Sequence, residues 1–397
     1  MFKYINNKKK ILILGGGELG REILISSIRL GLRTICVDNY DQCPASNVAN
    51  VSYICDMHNY EKLRTIFYDE LPNYIICEKE SINIDLIKDM EKEGFNIIPN
   101  SKSIEICMSR EKLRKFVDNL NILTSKFQFS DKEKDMFNCK INNIGIPCVV
   151  KPCFSSSGYG QSIIKKESDI EKAYNELNNA RGSSSRIIIE EFIEFDYEIT
   201  IITIKQQSNI YYCEPIIHRQ KNGDFYLSYQ YNKIVSDKIR EKCNNICNII
   251  VNELCTFNDN GIFGIEFFVR GDEVIFNEIA PRCHDTGYIT LKTQNISQFD
   301  LLIYSILNIP IPNINIINNG ISHSLMYNND MDVDIRNYKI NLTQIDNLYY
   351  YIFKKPIIKK KKSRRVGIII YLLENLKNNN IEEIKKIEEI CKNYKHN

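Results

Sequence analysis

Of its 397 residues, the chain commits no surplus to either sign of charge, no run to a bilayer-length apolar stretch and none of its cysteines to a regular spacing. Each absence closes off a class of function. Lysine and arginine number 52 against 50 aspartates and glutamates, a net charge of +2, so nothing draws the whole chain to nucleic acid or an anionic membrane, and any charge-driven recognition is local. A membrane-spanning helix takes roughly 20 consecutive apolar residues, which the sequence nowhere supplies. The opening "MFKYINNKKK" lacks the apolar centre and small-residue cleavage site of a secretory signal, so a cytosolic address is expected. The 14 cysteines are scattered. Cys243 and Cys247 lie one helical turn apart with no second pair or neighbouring histidine to complete a zinc site, so reduced thiols are expected. No internal repeat is present. Abundant Ile, Asn and Lys make spacing a better guide than residue propensity.

What is there begins with rhythm. Between Lys10 and about Asn100, the runs "ILIL", "TICVD", "VSYIC", "NYIICE" and "FNIIPN" alternate with longer amphipathic stretches. This βαβ series predicts a parallel sheet covered on both faces, in a first α/β domain ending near residue 110. From about residue 123 the pattern changes: "IPCVVKPCFSSSGYGQSII" reads as strand, glycine-serine loop, strand, a hairpin lid. A helix from Glu167 to Leu177, a strand "RIIIEEFI" and antiparallel strands turning near Gln206 to Asn209 follow. A helix from about Lys238 to Phe257 then precedes paired strands turning at Gly271 and Asp272. From about residue 320 a small β-rich region closed by a polar C-terminal helix is expected. The whole reads as α/β followed by α+β.

Gly15, Gly17 and Gly20 follow the first strand in G-x-G-x-x-G spacing, and Asp38 ends the next strand where the acidic ribose partner of a dinucleotide would fall. The physical content is broader than NAD. Glycines let backbone approach a phosphate, and the helix beginning near Leu19 aims free N–H groups at it, so any phosphorylated ligand suits; a turn that merely packs helix on strand is the third reading. Against the dinucleotide stands a second nucleotide site further along. Lys151 ends an apolar strand and "SSSGYGQ" follows, a loop rich in N–H groups and hydroxyls that can close over polyphosphate, or serve as a linker. Glu266 and Glu278 stand on two strands joined by a tight turn, near each other across the ladder. Two carboxylates aimed at one point repel unless a cation sits between them, and hard oxygen ligands suit Mg2+ better than zinc. A solvated carboxylate pair is the plainer reading, but Gly264, Ile265, Phe267 and Phe268 flank Glu266 in a strand where an unpaired charge is costly.

The order of glycine loop, Lys151, "SSSGYGQ", "EEFIEFDYEIT" and a strand pair carrying Glu266 and Glu278 before "APRCHDTG" resembles the ATP-grasp superfamily. The resemblance implies an N-terminal Rossmann-like domain (1–114), a central ATP-grasp domain (115–319) and a small C-terminal domain (320–397). Within the superfamily, "GGGELG", "CEKE", "MSREKLR", "KPCFSSSGYGQ", "IHRQKNGDF", "GIFGIEFF", "DEVIFNEIAPRCHDTG" and "KKSRRVG" are similar, in order, to the formate-dependent phosphoribosylglycinamide formyltransferases of purine synthesis. Single motifs such as the glycine loop are weak signals, whereas "PRCHDTG" with the late "SRRVG" is specific.

In that family ATP phosphorylates formate, with Mg2+, and the amine of glycinamide ribonucleotide attacks the resulting formyl phosphate. The resemblance implies that Glu266 and Glu278 hold Mg2+ against the β- and γ-phosphates, that Arg110 and Lys151 are phosphate-side cations, and that Ser156, Ser157, Gly158, Tyr159, Gly160 and Gln161 form the lid. Glu190, Glu191, Phe192 and Ile193 would present backbone groups to adenine and Glu198 would bind the ribose hydroxyls; Glu190 and Glu191 as plain surface charges remain an equal reading. Glu18 and Leu19 would meet the phosphoribosyl substrate, and Lys355, Arg364 and Arg365 would clamp its phosphate. Glu78 and Asp285 would hold the amine, Asp285 otherwise being a residue that turns the chain at "HDTG". Arg282 and His284, beside the metal ligand, can steady formyl phosphate oxygens, so Asp285, Arg282 and Lys151 are the expected catalytic groups.

Two departures stand out. Tyr159 occupies a lid position where the family usually has lysine, which implies weaker lid closure or ATP affinity. "KKPIIKKKKSRR", with eight of twelve residues basic, is longer than the family pattern, and Lys359 to Lys362 are expected to form a solvated loop without nucleic-acid contact. A homodimer without membrane or nucleic-acid partners is the family precedent. The competing readings are an ATP-grasp carboxylase of aminoimidazole ribonucleotide, using bicarbonate, and a catalytically impaired nucleotide-binding relic.

Overall fold

The β-branched runs of the first hundred residues form a five-stranded parallel sheet in the computed structural model, which describes residues 9–154, 160–179, 186–221, 223–327, 346–356 and 364–373. Its strands are β1 (Lys10–Leu14), β2 (Arg33–Asp38), β3 (Val51–Ile54), β4 (Tyr74–Cys77) and β5 (Ile97–Ile98), in the order β3-β2-β1-β4-β5. Alternation along β1 sends side chains to opposite faces, and both are covered. Leu12 and Leu14 pack with Leu63, Phe67 and Leu86 of the helices Tyr60–Glu70 and Ile84–Lys92. Ile11 and Ile13 join Leu19, Ile23 and Leu24 of the helix Glu18–Arg29, which in turn meets Phe299, Leu302 and Ile303 of the helix Gln298–Leu307. Each such side chain, fully buried, stabilises by roughly 1.5–3 kcal/mol. This seam fixes the glycine loop, at the start of Glu18–Arg29, against the rest of the molecule.

A smaller antiparallel sheet follows, built from β6 (Phe127–Asp131), β7 (Cys148–Pro152), β8 (Ser162–Ile164) and β9 (Arg186–Glu191) in the order β6-β9-β7-β8. Phe137 and Ile141 of Lys134–Ile144 and Ala173 and Leu177 of Ile170–Asn179 cover it. Pairing of β7 with β8 gives the expected strand-loop-strand hairpin. Four of the expected lid residues, Ser156, Ser157, Gly158 and Tyr159, lie outside the described residues.

The largest sheet has nine strands: β10 (Tyr197–Gln206), β11 (Asn209–Tyr212), β12 (Ile216–Lys221), β13 (Asp224–Gln230), β14 (Asn260–Arg270), β15 (Glu273–Ala280), β16 (Asn319–Tyr327), β17 (Leu348–Ile352) and β18 (Arg364–Leu373). The path is β15-β14-β10-β12-β13-β16-β18-β17, with β11 paired to β10. The helix Asp237–Leu254, ending just short of the expected Phe257, buries Ile239, Cys243, Cys247 and Ile250 against Ile199, Ile201, Ile265 and Phe267 on one face. The strands after residue 320 do not make a sheet of their own: β16 hydrogen-bonds to β13, which brings β18 and the segment after β17 to the cleft. The expected C-terminal helix and Lys359 to Lys362 lie outside the described residues. The described cysteines are all free, and among the described residues no helix is long and apolar enough to cross a membrane.

Candidate active site

Strand register gathers the acidic residues. Across the ladders of the large sheet, Glu198 of β10 lies opposite His218 of β12, Thr200 opposite Glu266 of β14, and Glu266 opposite Glu278 of β15. Residues two apart share a face, so the face turned away from Asp237–Leu254 carries Glu198, Thr200, His218, Glu266 and Glu278 together. Of these, His218, Glu266 and Glu278 line a cleft whose walls include Arg110, Gln161, Gln220, Asp224, Arg282, His284 and Asp285.

Glu266 is buried, with its Oε1 3.2 Å from His284 Nε2 and its Oε2 accepting from Asn277 Nδ2 at 3.2 Å and Gln220 Nε2 at 3.4 Å. Burial pushes its carboxyl well above the usual range, and Glu278, Glu198 and Asp285 push the same way. Burial likewise raises Glu198 to about 7, against the pull of Lys151. The two histidines do not neutralise this charge: burial lowers His218 to about 3 and His284 to about 4. His218 Nδ1 meets Thr200 Oγ1 at 3.1 Å, while its Nε2 has no hydrogen-bond partner and points toward Glu266, 3.6 Å away. Clustered carboxylates with neutral imidazoles fit a hard cation. Among the described residues no three histidine, cysteine, aspartate or glutamate side chains form a closed metal cage. Glu266 and Glu278 can therefore supply two oxygens and leave the remaining positions for phosphate and water, the pattern Mg2+ prefers.

Lys151, at the end of β7, is held by an ion network. Its Nζ is 2.7 Å from Glu190 Oε2, and Glu190 Oε1 accepts from Arg114 Nε at 2.6 Å and Ser125 Oγ at 3.3 Å. Glu190 is thus no surface charge; β9 turns it inward, where it is 2% exposed. Burial alone would raise its carboxyl, but Arg114 and Lys151 hold it well below the usual range. Glu191 and Ile193 flank it in the small domain, and the N–H groups of Glu191 and Phe192 already donate to the carbonyls of Lys126 and Pro147. Those two N–H groups are therefore not free to read a base. Arg110 begins the helix Arg110–Asn119 and donates Nη1 to the Pro152 carbonyl at 2.9 Å, beside the lid segment.

From Asp285 of the cleft, Arg365 leads to Glu18 at the glycine loop. Gly15 has φ +118, and a Cβ there would come within 2.5 Å of Glu78 Oε2, so both backbone shape and close approach require glycine. Asp38 is not free for a ribose. Its Oδ2 accepts from Gly16 N at 2.6 Å, and its Oδ1 from Lys79 Nζ at 3.1 Å, so it braces the loop and removes the dinucleotide reading. Glu18, the first residue of its helix, meets Lys355 Nζ at 2.9 Å and Arg365 Nη1 at 3.5 Å; Arg365 Nη1 also lies 2.8 Å from Asp285 Oδ2. Leu19 beside it is buried in the core, so only its backbone can face a ligand. Arg364 stands clear of this network, its guanidinium 5.8 Å from the Tyr40 ring centre.

Three carboxylates here differ in state. Burial would raise Asp285, but Arg365 and Arg282 outweigh it and keep the group ionised well below the usual range. Glu18 is also lowered: burial is opposed by Lys355 and Arg365. Burial pushes Glu78 up to about 8 despite Arg282. Residues not foreseen from sequence include Arg114, Gln220, Asp224, His218 and Glu80, whose Oε1 lies 3.0 Å from Arg282 Nη2. For His218 a signal existed, since "IIH" alternates inward in a strand adjoining Glu198; for Arg114 and Glu80 the pairing is tertiary and sequence spacing carries none of it.

Residues 115–299 match the ATP-grasp domain and residues 8–108 the ribonucleotide synthetase preATP-grasp domain. The fold and cleft are those of an ATP-grasp enzyme. The chain is 39% identical over 376 residues to a formate-dependent phosphoribosylglycinamide formyltransferase of Prochlorococcus marinus subsp. pastoris, covering 93% of each. It is 38% identical over 385 residues to the protein of that name from Methanocaldococcus jannaschii, covering 96% of this chain and 95% of that one. Among solved structures, the ADP complex of an N5-carboxyaminoimidazole ribonucleotide synthetase superposes with a TM-score of 0.84 over 100% of both chains, at 20% identity, a likeness of fold alone. The chain belongs to the formate-dependent phosphoribosylglycinamide formyltransferase family.

Proposed function

We propose that the protein formylates 5-phosphoribosylglycinamide with formate and ATP, through formyl phosphate, releasing ADP and phosphate. The observation that carries this reading is the nearness of a carboxylate pair suited to a metal-nucleotide to an anion clamp of Lys355 and Arg365, which Glu18 holds and which Arg365 ties to Asp285 of the cleft. We read residues 1–114 as the substrate-binding unit, 115–319 as the Mg-ATP unit and 320–397 as the part that completes the substrate phosphate site, the whole working as a cytosolic homodimer.

Glu266 and Glu278 would hold Mg2+, which, when bound, offsets charge building on the β- and γ-phosphates. Lys151, fixed by Glu190, and Arg110 face the same polyphosphate, with Gly160 and Gln161 at the hinge end of the lid. Glu198, on the same sheet face, would bind the ribose hydroxyls. A formate oxygen takes the γ-phosphoryl group and ADP leaves, turning a poor electrophile into an acyl phosphate. Arg282 steadies its oxygens. The amine nitrogen then bonds to the formyl carbon, the carbon–oxygen bond to phosphate breaks, and the amine gives up a proton. Asp285, ionised and pinned by Arg365, orients the amine; Glu78, whose ionised form is made the stronger base by its raised value, accepts the proton. Arg365, Lys355 and Arg364 hold the substrate phosphate at the far end.

The test is ADP release by the purified chain with ATP, Mg2+ and 5-phosphoribosylglycinamide, supplying formate or bicarbonate in turn. Formate-dependent turnover with a formylated product is expected. Turnover with bicarbonate alone would assign the carboxylase reaction instead, and none with either would make the chain a nucleotide-binding relic.

A further inference from the structure

Glu80 has no part in the chemistry above, yet it lines the same cleft and makes one well-defined contact. It stands two residues beyond Glu78, on the segment leaving β4 of the first sheet, whereas Arg282 stands two residues beyond β15 of the large sheet. Glu80 Oε1 accepts from Arg282 Nε at 3.1 Å and lies 3.0 Å from Nη2; Nη1 donates to the Cys283 carbonyl at 2.9 Å. A guanidinium carries five N–H groups in a fixed plane. Glu80 occupies the edge formed by Nε and Nη2, and Cys283 takes one hydrogen of Nη1. That leaves N–H groups on the terminal nitrogens for a ligand in the cleft that Arg282 lines. Two such donors can meet two oxygens of a carboxylate or phosphoryl group. Without its edge contact, a side chain with Arg282's rotamer freedom would hold that aim for only part of the time.

We propose that Glu80 is a positioning residue: by gripping one edge of Arg282 across the two sheets, it aims the guanidinium tip at the oxygens of formate and of the formyl phosphate made from it. The inference rests on the formylation reading and adds to it that the first domain, besides binding the phosphoribosyl substrate, sets the geometry of the acyl-activation step.

The experiment measures kcat/KM for formate, the KM values for ATP and 5-phosphoribosylglycinamide, and the thermal midpoint in the full chain, its Glu80→Gln, Glu80→Asp and Arg282→Lys variants, and the double variant Glu80→Gln/Arg282→Lys. In Glu80→Gln, kcat/KM for formate should fall about tenfold or more, as loss of a charge-assisted hydrogen bond implies, while the other two KM values stay within about twofold. Glu80→Asp should recover part of the loss, and the double variant should be no worse than Arg282→Lys, because a grip on a missing guanidinium has nothing left to do. Unchanged kcat/KM for formate, losses that multiply in the double variant, or a joint rise of all three KM values with a lower thermal midpoint would each overturn the proposal. If Glu80→Gln does not fold, the same cycle with Glu80→Asp decides it. A parent chain whose ADP release ignores formate defeats the formylation reading itself; formate-dependent release with an indifferent Glu80→Gln defeats only the role of Glu80.

Discussion

Glu266 lies directly opposite Glu278 across the β14–β15 ladder, and burial with this like charge raises the Glu266 carboxyl well above its ordinary value. A carboxyl raised in this way holds its proton more tightly in the free protein, and a divalent cation between the two favours the ionised form. Binding of Mg-ATP at pH 7 should release protons, read by calorimetry as a heat that depends on the ionisation enthalpy of the buffer. Glu266→Gln should abolish the dependence and lower kcat at least about a hundredfold. Buffer-independent heat in the parent chain would mean that Glu266 is already ionised or does not meet the cation.

The Glu190 network makes the opposite prediction about stability. Its carboxyl lies below the usual range, so its contribution is present above the unfolded value and lost as pH falls through the folded one. Glu190→Gln removes the partner of a buried Arg114, which costs about 3–5 kcal/mol, and frees Lys151, which should raise the KM for ATP. The gap in thermal midpoint between variant and parent should be wide at pH 7, begin to narrow below about pH 4, where the unfolded glutamate takes up its proton, and go on narrowing as pH falls toward the folded value. A gap that does not change with pH would show the ion network to be energetically idle.

These two cases show what was legible in advance. Glu266 and Glu278 could be placed together because a tight turn at Gly271 and Asp272 fixes hairpin register, and register is arithmetic on the sequence. The five parallel strands were equally readable, since each is a short apolar run between amphipathic stretches. Glu190 could not be read, because its inward turn depends on Arg114, 76 positions away, and Glu80 faces Arg282 across 202 positions. Asp38 looked like a ribose ligand by spacing alone, and only the Gly16 N–H shows it to be a brace. The joining of β16 to β13 escaped notice for the same reason: nothing local marks which earlier strand a late one will pair with.

Neighbouring arginines of the clamp should separate cleanly. Arg365 is buried and shared between Glu18 and Asp285, while the Arg364 guanidinium lies 5.8 Å from the Tyr40 ring centre. Arg364→Ala should raise the KM for 5-phosphoribosylglycinamide about tenfold, leaving the KM for ATP and the thermal midpoint almost unchanged. Arg365→Ala should raise it further and also destabilise the fold, because the half-buried Glu18 and Asp285 each lose one of their counter-charges. A larger effect of Arg364→Ala on ATP than on the phosphoribosyl substrate would remove that arginine from the clamp.

Glu78 offers the pH signature of the amine step. Its folded value, about 8, lies above that of an unfolded glutamate, so the folded protein binds the extra proton and the group's ionisation costs stability as pH rises between the two values. Glu78→Gln lacks that cost. Its thermal midpoint relative to the parent should climb from about pH 4.3 to about pH 8 and level off above. The same variant should lose about a hundredfold or more in kcat/KM for 5-phosphoribosylglycinamide, as expected for loss of a proton acceptor, with the KM for formate retained. Asp285→Asn should show no such climb, because its parent carboxyl is held ionised by Arg365 and Arg282. A relative midpoint of Glu78→Gln that stays level across this range would mean that Glu78 keeps an ordinary value and is ionised throughout, so that its burial adds nothing to the amine step.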